Sequence, residues 1–279
     1  MTYSVVARDP STGELGVAVQ SHFLGVGAVV PWARPGVGAV ATQAMVQISY
    51  GPKMLDLLAA GRPPTEALAE LVAADDGGEI RQVAAVDHAG RVATHTGSRC
   101  IAEAGHRAGD GWSVQANMML RPTVLDAMAE ALAATTGDLA PRLLAALDAA
   151  EAEAGDIRGR QSAAIVVVSG DRESPPWERL YDLRVEDHPD PLVELRRLVA
   201  MHRAYRSGGW DDPAVAHNPE LRFWHALRVA ADGDVDEARA ILDPIYAGGE
   251  GWRELVRRLP GAGVIPDDGL AARLTDDRS

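Results

Sequence analysis

Short apolar runs dominate the first third of the chain. Thr2 to Arg8 is one candidate strand and Leu15 to Gln20 a second. The turn-forming residues Asp9-Pro10-Ser11-Thr12-Gly13 lie between them, so the two should pair as a hairpin. Gly25 to Val30 and Gly36 to Gln43 are near-continuous runs of apolar and small residues, the pattern of strands buried on both faces. The period then changes. Pro52 stands where a first helical turn tolerates it, and Met54 to Ala60 reads as helix. Pro63 and Pro64 open another helix, Thr65 to Ala74, with Leu68, Leu71 and Val72 on one face.

The middle of the chain repeats the theme. Gln82 to Asp87 and Arg91 to Thr96 flank His88-Ala89-Gly90 as a short hairpin, and Trp112 to Met119 is a further strand. Pro122 to Thr135 and Leu139 to Ala154 are Ala/Leu-rich helices. Gln161 to Ser169 and Leu180 to Val185 read as strands, and Pro191 to His202 as an amphipathic helix. This order predicts a layered α/β or α+β domain over residues 1–205. A break at Arg206-Ser207-Gly208-Gly209 leads into a small all-α appendage, residues 206–279. Its helices are expected at Leu221 to Asp232, Val235 to Tyr246 and Trp252 to Leu259, with Trp224 and Trp252 as core anchors.

Composition narrows the function classes. The 279 residues carry a formal charge of −13, and Lys53 is the only lysine, so no basic stripe offers nucleic acid a footprint. The single cysteine, Cys100, excludes an intramolecular disulfide and a Cys-based zinc site. No uninterrupted apolar stretch reaches membrane-spanning length, and the first ten residues lack the features of a signal peptide. The expected location is cytoplasmic, without a membrane partner. Apolar strands and an acidic surface permit a homo-oligomer without requiring one.

The familiar phosphate-loop, dinucleotide, HExxH and GxSxG patterns are missing from the sequence. His88 and His95 flank a hairpin as a solvated pair or as part of a metal site, which would need further ligands. Asp187-His188-Pro189-Asp190 reads as a helix cap before Pro191, or as a polar cluster for metal or catalysis. Neither a metal nor a cofactor is expected. The unusual feature is Thr2, which follows Met1 directly and opens a strand. Removal of Met1 would leave a threonine whose hydroxyl is a nucleophile and whose α-amine titrates near neutrality, so one residue supplies both nucleophile and base.

Ordered motifs carry a family resemblance. Met1 to Pro10, Gly16-Val17-Ala18-Val19-Gln20-Ser21, Val30-Pro31-Trp32-Ala33-Arg34 and Gly38-Ala39-Val40-Ala41-Thr42-Gln43-Ala44 are among them. Tyr50-Gly51-Pro52, His95-Thr96-Gly97, Val114-Gln115-Ala116-Asn117-Met118 and the stretch from Gly155 to Ala164 complete the set. Over roughly residues 1–202 the chain resembles domain-of-unknown-function family 1028, which is predicted to belong to the N-terminal-nucleophile (Ntn) hydrolases. The resemblance implies an α+β, four-layer αββα sandwich and hydrolysis of a small amide or peptide through the N-terminal residue. Leu221-Arg222-Phe223-Trp224, Asp236-Glu237-Ala238 and Trp252-Arg253-Glu254-Leu255 resemble a helical domain often found behind this family, which bears a peptidoglycan-binding-like label.

On that fold, Thr2 would attack a carbonyl and its own amine would relay the proton. Donors for the oxyanion would be backbone amides near Gln43 and Ala44 and the side chain of Asn117, which could equally be a backbone-bonded structural amide. Gln20 and Ser21 sit on the strand paired with that of Thr2. The proteasome subunits carry an aspartate in that region where this chain has Gln20, which departs from their charge relay. Asp156, Arg158, Arg160 and Ser162 form the densest polar motif, either for binding a substrate carboxylate or as a salt-bridge cluster. Lys53, at a helix start, is poorly placed for a catalytic lysine. The alternative is a non-catalytic binding protein of the same fold, engaging peptidoglycan fragments.

Overall fold

The computed structural model describes residues 2–209 and 215–275. The chain divides into two compact units, Met1–Val199 and Ala200–Ser279. The first unit contains two antiparallel sheets with helices, a mixed α+β class. Its six-stranded sheet is built from β1 (Thr2–Arg8), β2 (Leu15–Ser21), β7 (Gly105–Gly109), β8 (Trp112–Asn117), β9 (Ser162–Val168) and β10 (Tyr181–Val185). Their order is β10-β9-β2-β1-β8-β7. The four-stranded sheet takes β3 (Pro31–Arg34), β4 (Gly38–Ala44), β5 (Arg81–Asp87) and β6 (Val92–Thr96), in that order.

Strand alternation divides the interior into distinct cores. On one face of the larger sheet, Tyr3, Val5, Ala116 and Ile165 meet α3 (Val124–Ala134) and α4 (Leu139–Ala152), together with Leu192 and Leu195 of α5 (Pro191–Ser207). The stripe Leu139, Leu143, Leu147 and Ala150 explains why α4 lies on the sheet. The other face turns Val6, Val17, Val19 and Val166 toward Ala39, Ala41, Ala84 and Val86 of the smaller sheet. That sheet's far face, with Val40, Val83 and Ala85, is covered by α1 (Tyr50–Ala59) and α2 (Pro64–Ala73).

The expected strand at Gly25 to Val30 is instead a single 3-10 turn, Val26–Ala28, entered by Gly25 in the left-handed region. The strand begins later, at Pro31, which an edge strand tolerates because its missing N–H faces no neighbour. The polar, glycine-flanked segment Gly105–Gly109 forms edge strand β7 without an apolar signature. Among the described residues, no helix is long and apolar enough to cross a membrane.

The second unit is helical, with α6 (Pro219–Ala231), α7 (Val235–Tyr246), α8 (Glu250–Arg258) and α9 (Asp268–Thr275). Asn218 and Asp234 cap α6 and α7 by accepting from Leu221 N and Glu237 N, each at 3.0 Å. The core anchor is Phe223 rather than Trp224. Phe223 is fully buried among Leu242, Ile245, Val256 and Leu274, whereas Trp224 faces outward and Trp252 is half-buried against the cluster.

Candidate functional site

Between the sheets, the interior is apolar at one end and polar at the other. Antiparallel pairing brings the start of β1 together with the ends of β2 and β8, where Tyr3 lies opposite Gln20 and Thr2 opposite Asn117. The alternation that sends Val6 into the inter-sheet core also sends Thr2 and Ser4 there. From the smaller sheet, Gln43 and Gln82 stand opposite each other and face the same space.

Thr2 is buried, and its Oγ1 lies 3.1 Å from the hydroxyl of Ser21. Its carbonyl accepts from Gln43 Nε2 at 3.3 Å and from Asn117 Nδ2 at 3.4 Å. Both of those amides also donate to one oxygen, Gln82 Oε1, at 2.7 and 2.9 Å. Gln82 Nε2 in turn donates to Thr96 Oγ1, Gly105 O and Ala116 O, at 3.0, 3.0 and 2.9 Å. Ser4 donates to Gln43 Oε1 and accepts from Gln115 Nε2, each at 2.6 Å. Every member of this network is neutral, so the polar groups are held in an apolar interior without the larger cost of burying charge.

The backbone is strained beside both amides that hold Thr2. Ala44, directly after Gln43, has φ 68°, and Met118, directly after Asn117, has φ 60°. Side-chain-bearing residues rarely occupy this left-handed region, and such strain collects at functional sites.

Thr2, Ser21, Gln43 and Asn117 are thus brought together. The remaining candidates lie elsewhere. Gln20 alternates to the opposite face of β2, where its side chain meets the hydroxyl of Tyr3. That hydroxyl also donates to Glu151 at 2.6 Å, and burial, followed by the Glu151 charge, pushes its pKa well above the usual tyrosine value. The Asp156 carboxylate accepts from His22 N at 3.0 Å and pairs with Arg158 at 3.2 Å, fastening the segment after β2 to the one before β9. Ser162 donates to Phe23 O and accepts from Val26 N. Arg160 pairs with Glu151 at 3.2 Å and with Asp190, so the Asp190 carboxylate takes a guanidinium. Lys53 is exposed on α1. Met1 lies outside the described residues. Among the described residues, no group of three or more His, Cys, Asp or Glu is placed to hold a metal ion.

The sequence reading missed Ser4, Gln82 and Gln115. The available signal was a glutamine in phase with the inward-facing positions of its strand, Gln82 with Ala84 and Val86 as Gln43 is with Ala39 and Ala41. One further brace supports this end. Arg81 pairs with Asp75 at 2.8 Å and donates to Met45 O at 2.6 Å. Hydrogen bonding from Arg81, then from Gly77 N, lowers the Asp75 carboxyl to about 2.

The chain matches the model of a family described as "Family of unknown function (DUF1028)" over residues 2–195. Among solved structures, it is similar to protein SPO2555 from Silicibacter pomeroyi, identified with the same family. The two share 35% identity with a TM-score of 0.65, covering 72% of this chain and 88% of that one. A distant likeness is to Anbu (ancestral beta-subunit) from Yersinia bercovieri, at 11% identity and a TM-score of 0.38, covering 74% of this chain and 97% of that one. That score is too low to carry an argument. No curated protein matches. By the extent of the family match, the chain belongs to the DUF1028 family.

Proposed function

We propose that this member of the DUF1028 family is an Ntn-type amidohydrolase on a four-layer αββα sandwich, cleaving a small amide or peptide with Thr2 as nucleophile once Met1 is removed. The observation that carries this reading is the setting of Thr2. It opens a central strand with its hydroxyl against Ser21 and its carbonyl 3.3 and 3.4 Å from two side-chain amides. The two left-handed residues flanking the cage add to the support.

In this mechanism Thr2 Oγ1 bonds to the substrate carbonyl carbon while its proton passes to the Thr2 α-amine. The carbonyl oxygen becomes an oxyanion. Asn117 Nδ2 carries two hydrogens, one held by Gln82. The second makes only a 3.4 Å contact to Thr2 O and would be shared with the oxyanion, joined by backbone N–H near Ala44. Collapse expels the amine, which leaves with the proton from the α-amine and generates a Thr2 ester. Water, deprotonated by the same amine, then hydrolyses the ester and releases the acid. Ser21 fixes the hydroxyl rotamer of Thr2, and the chemistry requires neither metal nor cofactor.

A small β-lactone tests this directly, because Thr2 Oγ1 would open its ring to form an ester. The expected outcome is a single adduct mapped to Thr2 that Thr2→Ala abolishes while the thermal midpoint is retained. An adduct of equal yield in Thr2→Ala would reject the reading.

A further inference from the structure

The antiparallel pairing that brings Thr2 to one end of the sheets brings several loops with it. These are the segments after Ser21, after Ala44, between Thr96 and Gly105, after Asn117 and before Ser162. Each presents large apolar side chains to solvent. Met45 is 59% exposed, Ile157 56%, Ile101 55% and Leu120 51%, with Phe23 and Ile48 also exposed. Among the described residues of the first unit, the other large apolar side chains this exposed are Leu24, adjoining Phe23, and two away from these loops, Trp177 and Val193. Scattered exposed apolar residues need no explanation, but concentration around one end of a fold does.

The rim is joined to the site through the backbone. Met118 N donates to Ile101 O at 2.9 Å and Met118 O accepts from Ile157 N at 3.3 Å. The strained residue after Asn117 therefore sets the positions of two exposed isoleucines. On the smaller sheet, Met45 follows strained Ala44 and is held by Arg81 through its carbonyl. Three nearby arginines are committed within the protein: Arg158 to Asp156, Arg81 to Asp75 and Arg99 to Glu79. An acidic group in the substrate would have to compete with those pairs, whereas an apolar group would bury surface against the rim.

We infer that the substrate amide is flanked by uncharged, apolar groups, which the rim formed by Met45, Ile101, Leu120 and Ile157 receives next to Thr2. This rests on the reading of Thr2 as nucleophile and names the substrate class of that site.

The test uses the purified full chain with Met1 removed and matched peptide epoxyketones ending in leucine, aspartate or arginine. Such probes add the threonine hydroxyl to the ketone, and the α-amine opens the epoxide, so the adduct reports a free N-terminal threonine. The expected result is an adduct at Thr2 forming about tenfold faster with the leucine probe than with either charged one. A charged probe reacting as fast as the leucine probe overturns the inference and leaves the nucleophile standing. No Thr2 adduct with any probe removes the nucleophile reading, and the inference falls with it.

The variants Ile101→Asp and Ile157→Asp supply a second arm, with the thermal midpoint as fold control because both side chains are more than half exposed. Each should slow the leucine probe several-fold, leaving the arginine probe equally fast or faster. An unchanged leucine rate, accompanied by dissociation of an oligomer in light scattering, would instead make the rim a contact between copies of the chain and overturn the inference.

Discussion

Gln82 is the joint on which the Thr2 cage depends, and Gln82→Leu isolates its contribution. The two side chains are similar in volume, so the substitution removes hydrogen bonds without opening a cavity. It deletes the acceptor shared by Gln43 and Asn117 and the donor serving Thr96, Gly105 and Ala116. A hydrogen bond contributes about 1 kcal/mol net, and a group left unsatisfied in the interior costs about 1–3 kcal/mol. Several partners retain other contacts: Gln43 and Asn117 with Thr2 O, and Thr96 with His106 at 2.9 Å. The expected loss is therefore about 2–4 kcal/mol rather than the full sum. Hydrogen exchange suits a chain of two compact units, because it resolves β1, β5 and β8 separately from the helical unit. Amides in those strands should exchange roughly 30- to 1,000-fold faster in the variant. Thr2 should also react more slowly with the small β-lactone, as the two amides at its carbonyl lose the shared acceptor that orients them. Exchange rates unchanged in those strands would refute the energetic reasoning, and faster exchange with undiminished Thr2 labelling would refute the positioning role.

Asp75 gives a pH-dependent test. Its carboxyl is lowered from 3.8 to about 2, so its stabilisation is present above the unfolded-state pKa and is lost as pH falls through about 2. At about 1.4 kcal/mol per unit, reduced by solvent around a partly exposed pair, Asp75→Asn should cost about 1–2 kcal/mol at pH 7. Exchange in residues 50–87 should show this gap closing between about pH 4 and pH 2, whereas a gap constant with pH would contradict the assignment. Gly51 tests packing, because a Cβ there would lie 2.3 Å from the Trp32 ring. Gly51→Ala should lower stability by about 1–3 kcal/mol in thermal unfolding, and a neutral result would show that Trp32 moves aside freely.

The strands were legible where apolar residues dominate. Thr2 to Arg8, Gly38 to Ala44 and Ser162 to Val168 lie buried within their sheets, and their runs are long enough to read from one dimension. Gly105–Gly109 was not, because an edge strand of glycine and polar residues has no period to detect. Gly25–Val30 misled for the converse reason: its apolar residues cover a core while Gly25 turns the backbone. In the helical unit, adjacent Phe223 and Trp224 offered no local reason to prefer one as the anchor, and only packing among α6, α7, α8 and α9 decides for Phe223.

The candidate site was legible in part. Thr2, Ser21, Gln43 and Asn117 each stand out at or near a strand end, but their convergence depends on how two sheets stack. Gln82 carries the same signal as Gln43, and only the stacking reveals that it binds Gln43 and Asn117 at once. The reverse holds for Asp156, Arg158 and Arg160. As a sequence they are the densest polar motif, yet in the fold their charges are taken up by one another, Glu151 and Asp190.

The central claim is that Thr2 becomes a free N-terminal nucleophile. An intact mass of the purified chain from a host with methionine aminopeptidase, read together with N-terminal sequencing, tests it most directly. The account predicts a mass short by one methionine and a sequence beginning Thr-Tyr-Ser. A retained Met1 would leave the Thr2 nitrogen as an amide, unable to serve as base, and would contradict it.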